Sequence, residues 1–264
     1  MCVICTGDID PRSRTLDCSG CTTVTAIPAL DGLFTLNCSG CTALTTIAVM
    51  PNLGYIYCSG CTALTTIAAM PNLRYLNCSG CTALTAISAI PNLRYLECVR
   101  CIALTAISAM PCLTHLYCRD CTMLTDIAAL PSLSYLECSW CTALTTIPMI
   151  PSLIHLYCNG CIALTNISMM PLLNHLACRG CTMLTEIPDI PYNFLNCDPR
   201  IHPANRPLLL HLQRWIRANH RYFTFQRWRR SLEGVEWIYH PDHLGGWYTK
   251  LQMARLLTTA LRDR

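Results

Sequence analysis

From Leu33 onward, apolar residues return at the same offsets every 20 positions, and the unit reads LxxLxCxxCxxLTxIxxxPx, with Leu33, Leu53, Leu73, Leu93, Leu113, Leu133, Leu153 and Leu173 opening successive copies. Within one copy, "LRYLNC", Leu76 and Cys78 alternate with Tyr75 and Asn77, the two-residue period of a strand with one face buried. The Ser and Gly of "CSGC" turn the chain out of that strand. Leu84 and Ile87 then point inward again. Pro91 denies the outer segment a helix and favours extended or 3₁₀ backbone, and a 20-residue unit has no room for a full helix there. One such unit cannot bury its own leucines, so the core forms only by stacking neighbours. The pattern predicts a β-rich solenoid with one strand per coil.

The register is carried by CxxC pairs at Cys18/Cys21, Cys38/Cys41, Cys58/Cys61, Cys78/Cys81, Cys98/Cys101, Cys118/Cys121, Cys138/Cys141, Cys158/Cys161 and Cys178/Cys181, nine units without an insertion. In stacked parallel strands, equivalent residues lie about 4.8 Å apart, so both cysteines of each unit fall into continuous inward rows. Three chemistries compete for those rows. Cys78 and its equivalents act as small buried hydrophobes while Cys81 and its equivalents donate weak S–H bonds to turn carbonyls of the neighbouring coil; or stacked pairs hold zinc through four thiolates; or disulfides bridge the coils. Sharing of ligands along equal units and the desolvation of metal-free thiolates weigh against zinc. The opening "MCVICTGDIDPRSR" has no apolar signal segment, which points to a reducing intracellular compartment, cytoplasm or nucleus, and away from disulfides. Cys2 and Cys5 lie outside the repeat register, and with Cys18 and Cys21 they read CxxC, twelve residues, CxxC, the one candidate set for a structural zinc capping the first coil.

The unit "LxxLxCSGCTxLTxIPxxPxL" resembles the leucine-rich repeat, with Cys81 and its equivalents where that family places Asn or Cys, and Cys78 and its equivalents in place of the last strand Leu. It is similar to the LSGC-type repeats of plant receptors and to the short Cys-containing repeats of large cytoplasmic DNA viruses. The resemblance implies a right-handed coil with a parallel concave sheet, a non-helical convex side and a role as a binding scaffold; the viral likeness implies a host-directed effector or virion component.

Specificity belongs to the positions that vary between units. Before the central strand Leu these run Thr15, Thr35, Tyr55, Tyr75, Tyr95, His115, Tyr135, His155 and His175; after it, Asp17, Asn37, Tyr57, Asn77, Glu97, Tyr117, Glu137, Tyr157 and Ala177. The Tyr and His residues of these two columns, flanked by Arg74, Arg94, Arg100, Arg119 and Trp140, are the candidate protein-binding surface, since Tyr, Trp and Arg dominate interface energetics. The competing account is that stacked rings only brace the sheet. His155 and His175, on adjacent coils, are candidates for metal binding or pH response.

Charge divides the chain. Residues 1–197 hold seven Arg and ten acids (net −3), whereas 198–264 hold eleven Arg, one Lys and five acids (net +7), which together give the formal charge of +4. Three regions follow: an N-terminal cap over 1–12, the repeat solenoid over 13–197, and a basic, Trp-rich helical module over 198–264. In the last, "RWIRANHRYFTFQRWRR" sets Arg214, Arg217, Arg221, Arg227, Arg229 and Arg230 among aromatic residues, the alternative site, for nucleic acid. "YHPDHLGG" resembles the loop of J-domain co-chaperones at His240, Pro241 and Asp242, but "SLEGVEW" before it lacks that family's basic helix. No run of 18 apolar residues offers a membrane span. No nucleophile with an ordered base, phosphate loop or carboxylate pair stands out, so the expectation is a non-enzymatic protein-binding scaffold without a cofactor.

Overall fold

The computed structural model describes residues 3–6, 10, 12–188 and 194–198. It is a β-solenoid of about nine turns, and among the described residues there is almost no helix: a four-residue helix, Val3–Thr6, precedes the repeats. One strand per coil builds a ten-stranded parallel sheet: Thr15–Asp17, Thr35–Asn37, Tyr55–Tyr57, Tyr75–Asn77, Tyr95–Glu97, His115–Tyr117, Tyr135–Glu137, His155–Tyr157, His175–Cys178 and Phe194–Cys197. The register never slips. Each residue pairs with its counterpart 20 positions on, as in Tyr75↔Tyr95 and Leu76↔Leu96. The last step is shorter by one residue, yet His175 still pairs with Phe194 and Cys178 with Cys197, so the sheet gains a tenth strand beyond the nine CxxC units.

The interior is a stack of identical layers. Leu93, Leu96, Cys98, Cys101, Leu104, Ile107 and Met110 of one coil are all buried, and the same seven positions are buried in each coil from Leu33 to Met170. Alternation places every second strand residue inside, so Leu96 is fully buried between half-exposed neighbours.

From Cys38/Cys41 onward both cysteines of each pair line this interior, and the first of the three chemistries describes them. The second thiol of each pair donates to the carbonyl of the first cysteine of the preceding coil: Cys41 Sγ to Cys18 O at 3.0 Å, Cys61 to Cys38 at 3.1 Å, Cys81 to Cys58 at 3.1 Å, and so on to Cys181 and Cys158 at 3.0 Å. This is the bond an Asn side chain would make, supplied by a smaller and less polar group. Contact with the thiol of the following coil, together with burial, holds Cys78, Cys98, Cys118, Cys138 and Cys158 well above the ordinary thiol range. These sulfurs are inert protonated thiols.

The outer side is non-helical, as the prolines require. Two-residue strands pair there at alternate junctions: Ala26–Ile27 with Thr46–Ile47, Thr66–Ile67 with Ala86–Ile87, Ala106–Ile107 with Asp126–Ile127, and Thr146–Ile147 with Asn166–Ile167. Where Asn or Ser follows the Pro that closes a unit, its side chain completes the stacking. Asn72 Nδ2 donates to Pro51 O at 2.7 Å, Asn92 to Pro71 at 2.7 Å, and Ser132 and Ser152 Oγ serve Pro111 and Pro131 in the same way.

Because each layer rests on two others, truncating Leu96 in a central coil removes contacts on both sides. Leu96→Ala should cost about 2–5 kcal/mol, more than the same change at Leu16 in the first strand. Chemical denaturation of the two variants checks this, and equal losses would contradict it.

Candidate functional site

The strand alternation that buries Leu96 turns the residues on either side of it outward. The structure brings Tyr55, Tyr75, Tyr95, His115, Tyr135, His155 and His175 into one row along the sheet, with ring centroids 6.3, 6.4, 4.3, 5.9, 5.8 and 4.4 Å apart in order. The row is continuous. Tyr95 and His115 stack within 11° of parallel. The second column joins it wherever it carries a ring: Tyr57 lies 5.1 Å from Tyr75, Tyr117 5.1 Å from Tyr135, and Tyr157 5.5 Å from Tyr135. All ten sequence-predicted face residues therefore share one surface.

Two rings extend the row beyond the sequence prediction. Phe34 packs 5.4 Å from Tyr55, and Phe194 lies 6.1 Å from His175. Phe34 stands one position before the column and folds over the next coil, where only a glycine leaves room: a Cβ on Gly54 would meet its ring at 2.8 Å. The Phe34–Gly54 pair in equivalent positions is a signal in the sequence. Phe194 is hidden by the shortened final interval.

The rings brace one another and also remain open to solvent, Tyr57 at 36%, Tyr95 at 39% and Phe194 at 45% exposure. The polar members are wired between coils. Glu97 accepts from Tyr75 Oη at 2.9 Å and from Asn77 Nδ2 at 2.9 Å. Burial, then the Glu97 acceptor, pushes the Tyr75 phenol up to about 12, and burial beside Tyr117, Tyr157 and Glu137 does the same at Tyr135. Both phenols stay neutral at physiological pH. Burial depresses the imidazoles of His115 and His155, the latter further through neighbouring His175 and His115. His115 Nδ1 lies 3.0 Å from Thr114 Oγ1, and His175 Nδ1 contacts Asn174 Oδ1.

The turn beside this face carries a second feature. The third residue of each CxxC unit lies in left-handed backbone, which aims its N–H at a carbonyl of the next coil, as from Gly80 to Val99 at 2.7 Å, except that Gly180 N–H donates to Asp198 Oδ2 at 2.9 Å. Glycine meets that demand at Gly20, Gly40, Gly60, Gly80, Gly160 and Gly180, but Arg100, Asp120 and Trp140 adopt φ of 60°, 60° and 65° in three successive coils. A non-glycine residue there costs about 1–2 kcal/mol, and little returns. Asp120 meets Arg119 at 3.5 Å and Arg100 at 3.9 Å, with the arginine side chains 55% and 77% exposed, a pairing worth well under about 1 kcal/mol. Trp140 lies half exposed over Gly160. Strained backbone of this kind clusters at functional sites.

Cys5 and Cys21 meet with sulfurs 3.5 Å apart, Cys18 is buried in the core, and Cys2 lies outside the described residues. Among the described residues no three His, Cys, Asp or Glu side chains converge on a metal position, His155 and His175 included. Arg214, Arg217, Arg221, Arg227, Arg229 and Arg230, the HPD turn and the expected C-terminal helices also lie outside the described residues. No helix among the described residues is long and apolar enough to cross a membrane.

Two outcomes follow from this geometry. The imidazoles of His115 and His155 are lowered in the folded state, so the unfolded chain binds the proton first as pH falls through the ordinary value of 6.5. Stability should be full above that value and drop below it until the folded imidazoles themselves titrate; Tm measured between neutral pH and mild acid should fall less in a His115→Gln/His155→Gln variant. At the rim, a Cβ on Gly160 would meet the Trp140 ring at 2.6 Å with φ at +71°. Gly160→Ala should therefore cost about 1–3 kcal/mol, and adding Trp140→Gly should recover the part due to the ring, which a double-mutant cycle measures.

Comparisons of the chain with protein-family profiles, curated proteins and solved structures find no match.

Proposed function

We propose that this chain is a non-enzymatic protein-binding scaffold, a solenoid of leucine-rich-repeat type that grips its partner with the Tyr/His face of the sheet. The observation that carries the reading is the uninterrupted row of partly exposed rings from Tyr55 to His175, built on a core that is complete without them. Rigid aromatic side chains held by neighbouring strands lose little entropy when a partner covers them, which is the physical basis of aromatic hot spots. The exposed Arg100, Arg119 and Trp140 beside that row extend the same surface with the residue types that interfaces favour.

The buried, protonated thiols of Cys78, Cys98, Cys118, Cys138 and Cys158 fit a reducing intracellular compartment, cytoplasm or nucleus. The likeness of the short Cys-containing unit to repeats of large cytoplasmic DNA viruses fits a host-directed effector or virion component. The rival reading, nucleic-acid association through Arg214, Arg217, Arg221, Arg227, Arg229 and Arg230, rests on sequence alone.

The two readings separate experimentally. With full-length chain as bait in native-cell extract, Tyr57→Ser/Tyr95→Ser should lose the captured protein partner while its circular dichroism is unchanged. Arg100→Gly should also weaken capture while raising stability by about 0.5–1 kcal/mol, because it relieves left-handed strain. Capture that survives all of these changes, and instead falls steeply with salt and with Arg227, Arg229 and Arg230 replaced by Gln, would favour nucleic acid.

A further inference from the structure

The thiol rows contain one site at which the repeating bond is replaced by something else. From Cys41 to Cys181, every second cysteine of a pair spends its S–H on a carbonyl of the preceding coil. Cys21 stands beside the first strand of the sheet, Thr15–Asp17, and its thiol meets different groups. Its sulfur is 3.5 Å from Cys5 Sγ, on the short helix Val3–Thr6, and 3.4 Å from Thr23 Oγ1. Thr23 Oγ1 is also 3.2 Å from Cys5 Sγ, so one hydroxyl bridges two thiols. Cys5 is exposed and Cys21 half-buried, unlike the buried cysteines of the coils that follow.

We propose that Cys5 and Cys21 form a redox-active dithiol that reacts with small-molecule disulfides and closes to an intramolecular disulfide across the first coil. The geometry supplies proximity and access: two sulfurs within van der Waals distance, sixteen residues apart in the chain, at an exposed end of the sheet. The electrostatics agree. The Thr23 hydroxyl, then the Thr23 backbone N–H, and after them the Cys5 thiol and Val24 backbone hold Cys21 at about 6 instead of the ordinary 9.0. Cys21 is thus the nucleophile. Its thiolate attacks one sulfur of RSSR, forming Cys21–S–S–R and expelling RS⁻; Cys5, on losing its proton, attacks the Cys21 sulfur, expelling the second RS⁻. Two protein thiols are oxidised, one disulfide is reduced to two RSH, and the two protein protons go to the leaving thiolates.

Buried thiols at Cys78, Cys98 and their peers are excluded from this chemistry by burial and by raised proton affinity. Cys112 is exposed on the outer side with no second cysteine adjacent in sequence, and provides an internal reference.

The test uses the reduced full-length chain with oxidised glutathione at neutral pH, followed by peptide mapping without reduction. A Cys5–Cys21 cross-link is expected in the native chain, and Cys5→Ser should instead trap glutathione on Cys21. Lower nucleophilicity offsets most of the gain in thiolate, leaving Cys21 only about two- to threefold faster than an ordinary exposed thiol at neutral pH. The kinetic readout is therefore the pH profile of iodoacetamide labelling at Cys21, half-maximal near 6. Cross-linking of Cys5 to another cysteine, glutathione staying on Cys21 of the native chain, or a Cys21 profile matching an ordinary thiol would overturn the proposal. So would purified protein in which zinc blocks both thiols until a chelator is added.

Discussion

A parallel ladder in which each strand residue is bonded to its counterpart one coil on places everything else in this molecule. Because the step is 20 residues and does not drift, a substitution at one offset always lands in the same row. Inside, the rows are leucine, isoleucine and thiol; outside, they are rings and turn residues. The interior tolerates no polar side chain that lacks an acceptor, and the S–H bond to the carbonyl of the preceding coil lets cysteine occupy a turn position at small volume and low desolvation cost.

That regularity explains why so much of the fold was legible in the sequence. Leu76 and Cys78 alternating with Tyr75 and Asn77 is a strand by period alone, and Pro91 forbids an outer helix by chemistry alone. The roles of Cys78 and Cys81 also followed from type and spacing. What the pattern could not supply were properties that depend on neighbours in space. The tenth strand, Phe194–Cys197, sits at a 19-residue interval and lacks a complete CxxC unit. The left-handed backbone at Arg100, Asp120 and Trp140 was encoded in alignment with Gly80 and Gly160, but its cost appears only with the dihedral angles.

The candidate face was read in the same uneven way. Its columns were visible because they vary while the framework does not, and all ten rings fall on one surface. Their mutual packing, and the Glu97 carboxylate joining Tyr75 to Asn77, required coordinates. So did the placement of the N-terminal cysteines, with Cys18 buried and the sulfurs of Cys5 and Cys21 in contact.

The shortened final step shows that strand pairing, and not the length of the outer loop, fixes how coils align, since His175 still meets Phe194 across one fewer residue. A gene built this way can gain or lose whole cassettes without disturbing its neighbours, because each new unit carries its own leucines, thiols and ring into rows already under way. The reach of the aromatic surface is then a matter of copy number, adjustable to the length of whatever it must cover.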